Sequence, residues 1–346
     1  MLRALLSDDL PRSRWLAVAL VALLVGLAAA PFLFPGAKSL NVAAKICVFI
    51  VLAASFDLLL GYTGIVSFAH TMFFGIGAYG VAIALTRMGA GWDAVAVGVV
   101  AGLAVAIVLA VLIGLFSLRL RTIFFAMITL AVASAFLILA SQLSDITGGE
   151  DGLNYRLPMA LRPSFRPFEG FNGRLINYYL VYGVSLALVL ILLRIVNSPF
   201  GSVLMAIREN PFRAEAIGYR TVVYRTLASC IAAATAALAG ALLALWSSQT
   251  NPDTTLSFDI MVDILLMVVI GGMGTIYGAA IGAVLLVFAQ NYLQDLLAIA
   301  NKTLAGVPLL ANLFHPDRWL LWLGVAFILC VYFFPTGIVG RLRQRR

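Results

Sequence analysis

Mostly apolar runs recur ten times along this sequence, at 15–34, 41–60, 67–85, 94–118, 123–140, 178–196, 227–246, 260–270, 276–297 and 319–334. A helix needs roughly 20 such residues to cross a bilayer, and within the hydrocarbon its backbone groups must be satisfied by the protein itself. The repetition therefore dictates a bundle of membrane helices. Composition agrees: 63% of the 346 residues are hydrophobic and 11% charged, against roughly 45–50% and about 25% in soluble domains. Disorder, collagen-like repeats and disulfide scaffolds are excluded on the same grounds. The chain reads as an all-α polytopic membrane protein of about ten transmembrane helices, one membrane domain over 1–346.

Two runs are expected to be broken or re-entrant. The run at 260–270 is short and ends at Gly271-Gly272-Met273-Gly274, and 67–85 carries Gly75, Gly77 and Gly80. The first run resembles a signal peptide at Ala28-Ala29-Ala30. Pro31 follows directly and Asp8 and Asp9 dilute the basic start, so an uncleaved anchor is expected.

With the N-terminus inside and ten crossings, the inner segments collect the arginines of both termini, Arg119, Arg121, Arg194, Arg208, Arg213, Arg220 and Arg225. Positive charge resists translocation, so both termini are expected in the cytoplasm. The segment 141–177 is then an outer loop and 197–224 an inner one. A net charge of +8 needs no nucleic acid on this reading; the lipid bilayer is the partner that explains it.

Several chemistries lack their residues. Cys47, Cys230 and Cys330 each sit in an apolar run without Cys-x-x-Cys spacing and read as small buried hydrophobes. The histidines, His70 and His315, are too far apart in sequence for a one-turn metal pair, so no metal site is expected. A phosphate-binding loop needs a Gly-Lys dipeptide, and Lys38, Lys45 and Lys302 follow Ala37, Ala44 and Asn301. If ATP drives this chain, a partner must bind it. Asp57 and Asp263 form a candidate intramembrane carboxylate pair, but neither has the Gly-x-Gly-Asp setting of aspartyl-type membrane proteases. The expectation is a protein that is not an enzyme.

Two glycine-rich segments stand out. Gly61-Tyr62-Thr63-Gly64-Ile65-Val66-Ser67-Phe68-Ala69-His70 suggests a broken helix, which membrane depth tolerates only against protein or a watery cavity. Close helix packing through small residues explains it equally, and the two readings are compatible. Asp57, about one turn before Gly61, supports this break or gates a path; His70 braces the next helix or meets solute. The second segment, Ile270-Gly271-Gly272-Met273-Gly274, has a similar setting and is read as an equivalent part of an internal duplication.

The loop at 197–224 carries a helix signature. Asn197–Gly201 reads as a turn and 202–209 as helix-compatible. Asn210 then caps a helix that begins at Pro211 and stops at Gly218. Phe212 and Ala216 share a face, while Glu209, Arg213 and Glu215 stay polar. Such a helix is a solvated surface element or docks into a cytoplasmic partner.

At these residues the sequence resembles the LivM-type permease subunit of branched-chain amino-acid ABC importers. The matching blocks are 61–85, Leu118-Arg119-Leu120-Arg121 with Phe124-Phe125-Ala126, 147–153, 198–218, 268–283 and Phe334-Pro335-Thr336-Gly337-Ile338-Val339-Gly340. The family's Ser-x-Gly-His-Ala stands here as Ser67-Phe68-Ala69-His70-Thr71, adding a methyl and a hydroxyl. The resemblance implies a bacterial inner membrane, which makes 141–177 a periplasmic loop and 197–224 a cytoplasmic one. It implies as partners a second LivH-like permease, two ABC ATPase subunits holding ATP and Mg, and a periplasmic solute-binding protein. It also implies that Glu209, Asn210, Pro211, Phe212, Glu215, Ala216 and Gly218 form an ATPase-coupling helix. Asp57, Gly61, Tyr62, Thr63, Gly64, Ser67, His70, Gly271, Gly272 and Gly274 are the residues expected along the substrate path or gate. Permeases for urea, amides or aromatic acids share much of this pattern. An ATP-independent channel or secondary transporter, with Asp57 or Asp263 coupling an ion, is the alternative of a different class.

Overall fold

The computed structural model describes residues 14–33, 36–117, 122–166, 172–303, 314–334 and 336–344. Leu118–Arg121, Pro167, Pro335 and the arginines Arg3, Arg12, Arg345 and Arg346 of the sequence reading lie outside them. Among the described residues ten helices are long and apolar enough to cross a membrane, as the ten apolar runs predict.

The axis of the bundle is α2 (Ala37–Asp57). Every residue from Val42 to Asp57 is buried except Lys45. Against it pack α7 (Gly173–Val196), α10 (Thr221–Ser247), α12 (Phe258–Gly271) and α13 (Ile276–Thr303), while α3 (His70–Met88) meets it through side chains, His70 on Ser55 and Phe74 on Phe49. Peripheral helices α1 (Arg14–Leu33), α4 (Trp92–Ser117), α5 (Thr122–Gln142) and α14 (Trp319–Phe333) expose valine, leucine and phenylalanine outward. Those surfaces suit lipid contact.

Small residues set the closest approaches. A Cβ on Gly77 would overlap the Ala237 carbonyl, and one on Gly240 would overlap the Phe74 carbonyl. Helices α3 and α10 thereby meet backbone to backbone, as membrane helices do through small residues. Gly75, Gly77 and Gly80 do not break α3, contrary to the expectation of an interrupted segment. With neighbours on several sides, each glycine removes bulk where Leu256, Ala237 and Gly98 press in.

The second doubtful span also gains length. A short helix α11 (Pro252–Thr255), capped by Asn251 accepting from Thr254 N at 3.0 Å, precedes α12, and the two give a 20-residue apolar passage over Pro252–Gly271. Polar residues at its start hid that first turn from a hydropathy reading.

A clasp closes one end of the bundle. Helix α6 (Ser144–Thr147) stops at Gly148, whose φ is +77°, and β1 (Leu153–Asn154) pairs antiparallel with β2 (Gln249–Thr250). Tyr155 Oη donates to the Ala244 carbonyl at 2.8 Å, and burial pushes its phenol pKa up. The glycine motif at 147–152 thus ties the loop to the α10–α11 turn.

Candidate functional site

The two glycine-rich segments meet. Helix α2 continues into a π-helical turn, Leu58–Thr63, that ends at Gly64 with φ +71°. Thr63 Oγ1 donates to the Leu59 carbonyl at 2.5 Å, tightening the turn. The last buried turn of α2 places Asp57 opposite the second segment, where Gly274 N donates to Asp57 Oδ1 at 2.8 Å. Gly274 (φ +81°) and Gly272 (φ +121°) hold conformations that side chains rarely adopt. A Cβ on Gly61 would overlap both the Asp57 carboxylate and the Gly274 backbone. The two breaks are therefore a contact surface, each providing space for the other.

Arg208 joins this contact to the loop, and sequence reasoning counted it only as a charge. It lies near the end of α8 (Pro199–Glu209) and its Nη1 donates to the Gly61 carbonyl. Its aliphatic stem lies over Gly64, and its guanidinium is near Gly274, with Asp57 within electrostatic reach. The Gly61 partner is 147 positions away in sequence, which left no local pattern to find it by. Gly271 and Gly272 face elsewhere: Gly271 packs on Gly278, while Gly272 meets Thr336 and the first turn of α15 (Gly337–Gln344).

His70 opens α3 and is fully buried. Its Nε2 lies 2.7 Å from Ser55 Oγ, and Ser55 Oγ donates to the Leu52 carbonyl, so Nε2–H is the donor to Ser55. Its ring meets Phe56 edge-on at 5.4 Å. This is the bracing role, α3 clasped to α2. Ser67 and Tyr62 are also buried, as are Ala69 and Thr71, where the sequence departs from the family pattern. Asp263 is not a partner of Asp57: it accepts from Gln290 Nε2 at 2.8 Å. The structure gives the two carboxylates separate partners, the Gly274 turn for Asp57 and α13 for Asp263, and no dyad. Among the described residues no cluster of three or more metal-binding side chains exists.

The loop helix is present with the caps that its sequence predicts. In α9 (Pro211–Ala216), Asn210 Oδ1 accepts from Arg213 N at 3.0 Å, and Gly218 follows at φ +98°. Helix α8 begins at Pro199 behind Ser198 rather than at 202, because proline suits the first helical position and Gly201 fits tightly on the Val196 carbonyl. Glu215 accepts from Thr221 Oγ1 at 2.5 Å, fastening α9 to α10, and Ala214 is buried beneath. Phe212 is 81% and Ile217 72% exposed, with Ala216 exposed between them. An apolar face that points away from the protein is what a docking element requires.

A family model described as "Branched-chain amino acid transport system / permease component" matches residues 39–315. The high-affinity branched-chain amino acid transport system permease protein LivM of Salmonella typhimurium is 28% identical over 318 residues, covering 86% of this chain and 73% of its own. A probable LivM of Methanocaldococcus jannaschii is 26% identical over 84% of this chain and 89% of its own, and BraD of Pseudomonas aeruginosa 27% identical over 84% and 91%. No solved structure matches. The matched region contains the α2–α3 break, the loop helices and the second glycine segment, and this multi-pass membrane chain belongs to the family of branched-chain amino-acid transport system permease components.

Proposed function

We propose that this chain is one permease subunit of an ATP-driven importer in a bacterial inner membrane. It translocates branched-chain or related amino acids handed over by a periplasmic binding protein. A second LivH-like permease completes the path, and two ATPase subunits hold ATP and Mg. Both termini and 197–224 face the cytoplasm, and 141–177 the periplasm.

The observation that carries this reading is Arg208. One side chain ties the helix preceding α9 to Gly61 at the end of the most buried span, beside Gly274. A pull or push on α9 through Phe212, Ala216 and Ile217 thereby reaches both breaks, with Asp57 as the second fastener. The residues expected along the path, from Gly61 to His70 and from Gly271 to Gly274, act in this reading as the moving joint more than as solute ligands.

The test is uptake by the reconstituted four-subunit assembly with its binding protein. Arg208→Met should keep ATPase subunits bound yet lower ATP-driven leucine uptake by about tenfold or more, the loss of one charge-assisted hydrogen bond. Unchanged uptake would remove Arg208 from the coupling route. Ion-driven uptake by this chain alone in proteoliposomes would overturn the importer reading itself.

A further inference from the structure

Lys45 is the exception on α2. Eight residues from the start of the helix, roughly 12 Å along its axis, it is the one residue between Val42 and Asp57 that is not buried. Among the described residues it forms no hydrogen bond or ion pair. Asp263 feels its charge but is tied to Gln290. A cationic side chain inside a span is costly unless it pairs or faces a polar cavity, and Lys45 faces one.

That cavity, about 580 Å³, lies at the end of the bundle where α2 and α7 begin, opposite the Arg208 contact. Lys38, Lys45 and Arg174 line it and no acidic side chain does. Two of these cations are already engaged: Lys38 with Asp295 at 2.5 Å, and Arg174 with Asn41 at 3.0 Å and over the Trp246 ring. The positive ends of α2 and α7 add to the same field. The remaining wall is mixed: Asn41, Asn177, Ser247, Ser248 and Asn291 supply neutral polar groups, and Leu157, Leu161 and Leu243 an apolar side. A volume in the range of small-molecule sites, an unpaired cation, neutral polar groups and one leucine-lined side together describe a receptor for a small anion with an apolar body.

We infer that this cavity is a solute-binding vestibule in which the Lys45 ammonium takes the carboxylate of an apolar carboxylate-bearing solute. The inference rests on the importer reading and specifies its entry site. Lys45 binds the solute as it leaves the binding protein, and the leucine side chains of the wall cover its apolar part. Lys38 and Arg174, held by their own partners, shape the field without competing for the anion.

Trp246 lies in the cavity wall and reports occupancy by its fluorescence. The purified four-subunit assembly, without binding protein, is titrated with L-leucine, with 4-methylpentanoate (no amine) and with leucinol (no carboxylate). Both carboxylates should give a saturable change that Trp246→Phe abolishes, and leucinol should not. Lys45→Met should raise the half-saturating concentration by about tenfold, and Lys45→Arg should stay near wild type. Leucinol binding as well as leucine, no saturable change with either carboxylate, or an unchanged Lys45→Met would overturn the inference. So would loss of the second permease from Lys45→Met preparations, which would make Lys45 a subunit contact. Uptake separates the two levels: wild-type assembly that imports no amino acid refutes the importer, whereas normal import with unaltered KM in Lys45→Met refutes the vestibule alone.

Discussion

At Gly61 the backbone of one segment lies so close to Asp57 and to Gly274 that a single methyl group has no space. Gly61→Ala should therefore destabilise the fold by roughly 1–3 kcal/mol through overpacking, read as a lower melting temperature in detergent. Gly26→Ala is the control, since a Cβ there meets nothing within 4 Å. Asp57 separates charge from hydrogen bonding. Asp57→Ala leaves the half-buried Gly274 N–H without its charged acceptor, a loss of about 1–3 kcal/mol. Asp57→Asn keeps an acceptor oxygen for that N–H and should be the milder change in a thermal melt. Equal melting temperatures for the two would show that the carboxylate acts through its charge toward Arg208, not through this bond. The residues of this joint were legible only in part. The glycines and Asp57 stand out in sequence because their chemistry is unusual at membrane depth. Arg208 does not, since arginine is ordinary in an inner loop and its partner is remote. Lys45 enters the sequence reading only as a lysine without a preceding glycine, and its cavity is built from four helices and a loop.

Among the elements, α9 shows how far local chemistry reaches. Its cap, its proline start and its glycine stop bond within a few residues of themselves, so the sequence alone predicts them and the structure repeats them. The beginning of α8 and the first turn of the Pro252–Gly271 passage were missed for the converse reason, since polar capping residues interrupt hydropathy without interrupting a helix. The outward face of α9 yields a test. Ala216 touches no core residue that a longer side chain would displace, being exposed between Phe212 and Ile217. Ala216→Arg should insert and melt like the wild type. In a partner's groove the same guanidinium would be forced into an apolar contact, commonly a loss of about 2–3 kcal/mol, or roughly a hundredfold in partner occupancy. ATPase subunits should fail to copurify, and ATP-driven uptake should disappear with them. Retention of both would end the assignment of α9 as the coupling element.

For the whole molecule, the two ends of the bundle differ in charge and in construction. One end holds Arg208, Arg213, Arg220 and Arg225, the contact of the two glycine segments and the start of α15. The other holds the Lys45 cavity and the clasp of β1 on β2, with Glu150, Asp151 and Asp253 among its charges. Arginine-rich short loops stay in the cytoplasm because they resist translocation, whereas balanced segments cross. The proposed orientation rests on that asymmetry, and ten candidate spans would return the C-terminal helix to the arginine side. In a chain with Cys47, Cys230 and Cys330 replaced, single cysteines at Ser164 and Ile217 occupy exposed positions at the two ends. A membrane-impermeant maleimide added to cells with a permeabilised outer membrane should label Ser164→Cys at once. Ile217→Cys and Arg343→Cys should label only after the inner membrane is opened. Because Gly337, the first residue of α15, packs against Gly272, the last two positions must report the same side. External labelling of both would invert the molecule, put the Lys45 vestibule in the cytoplasm and leave α9 without access to ATP.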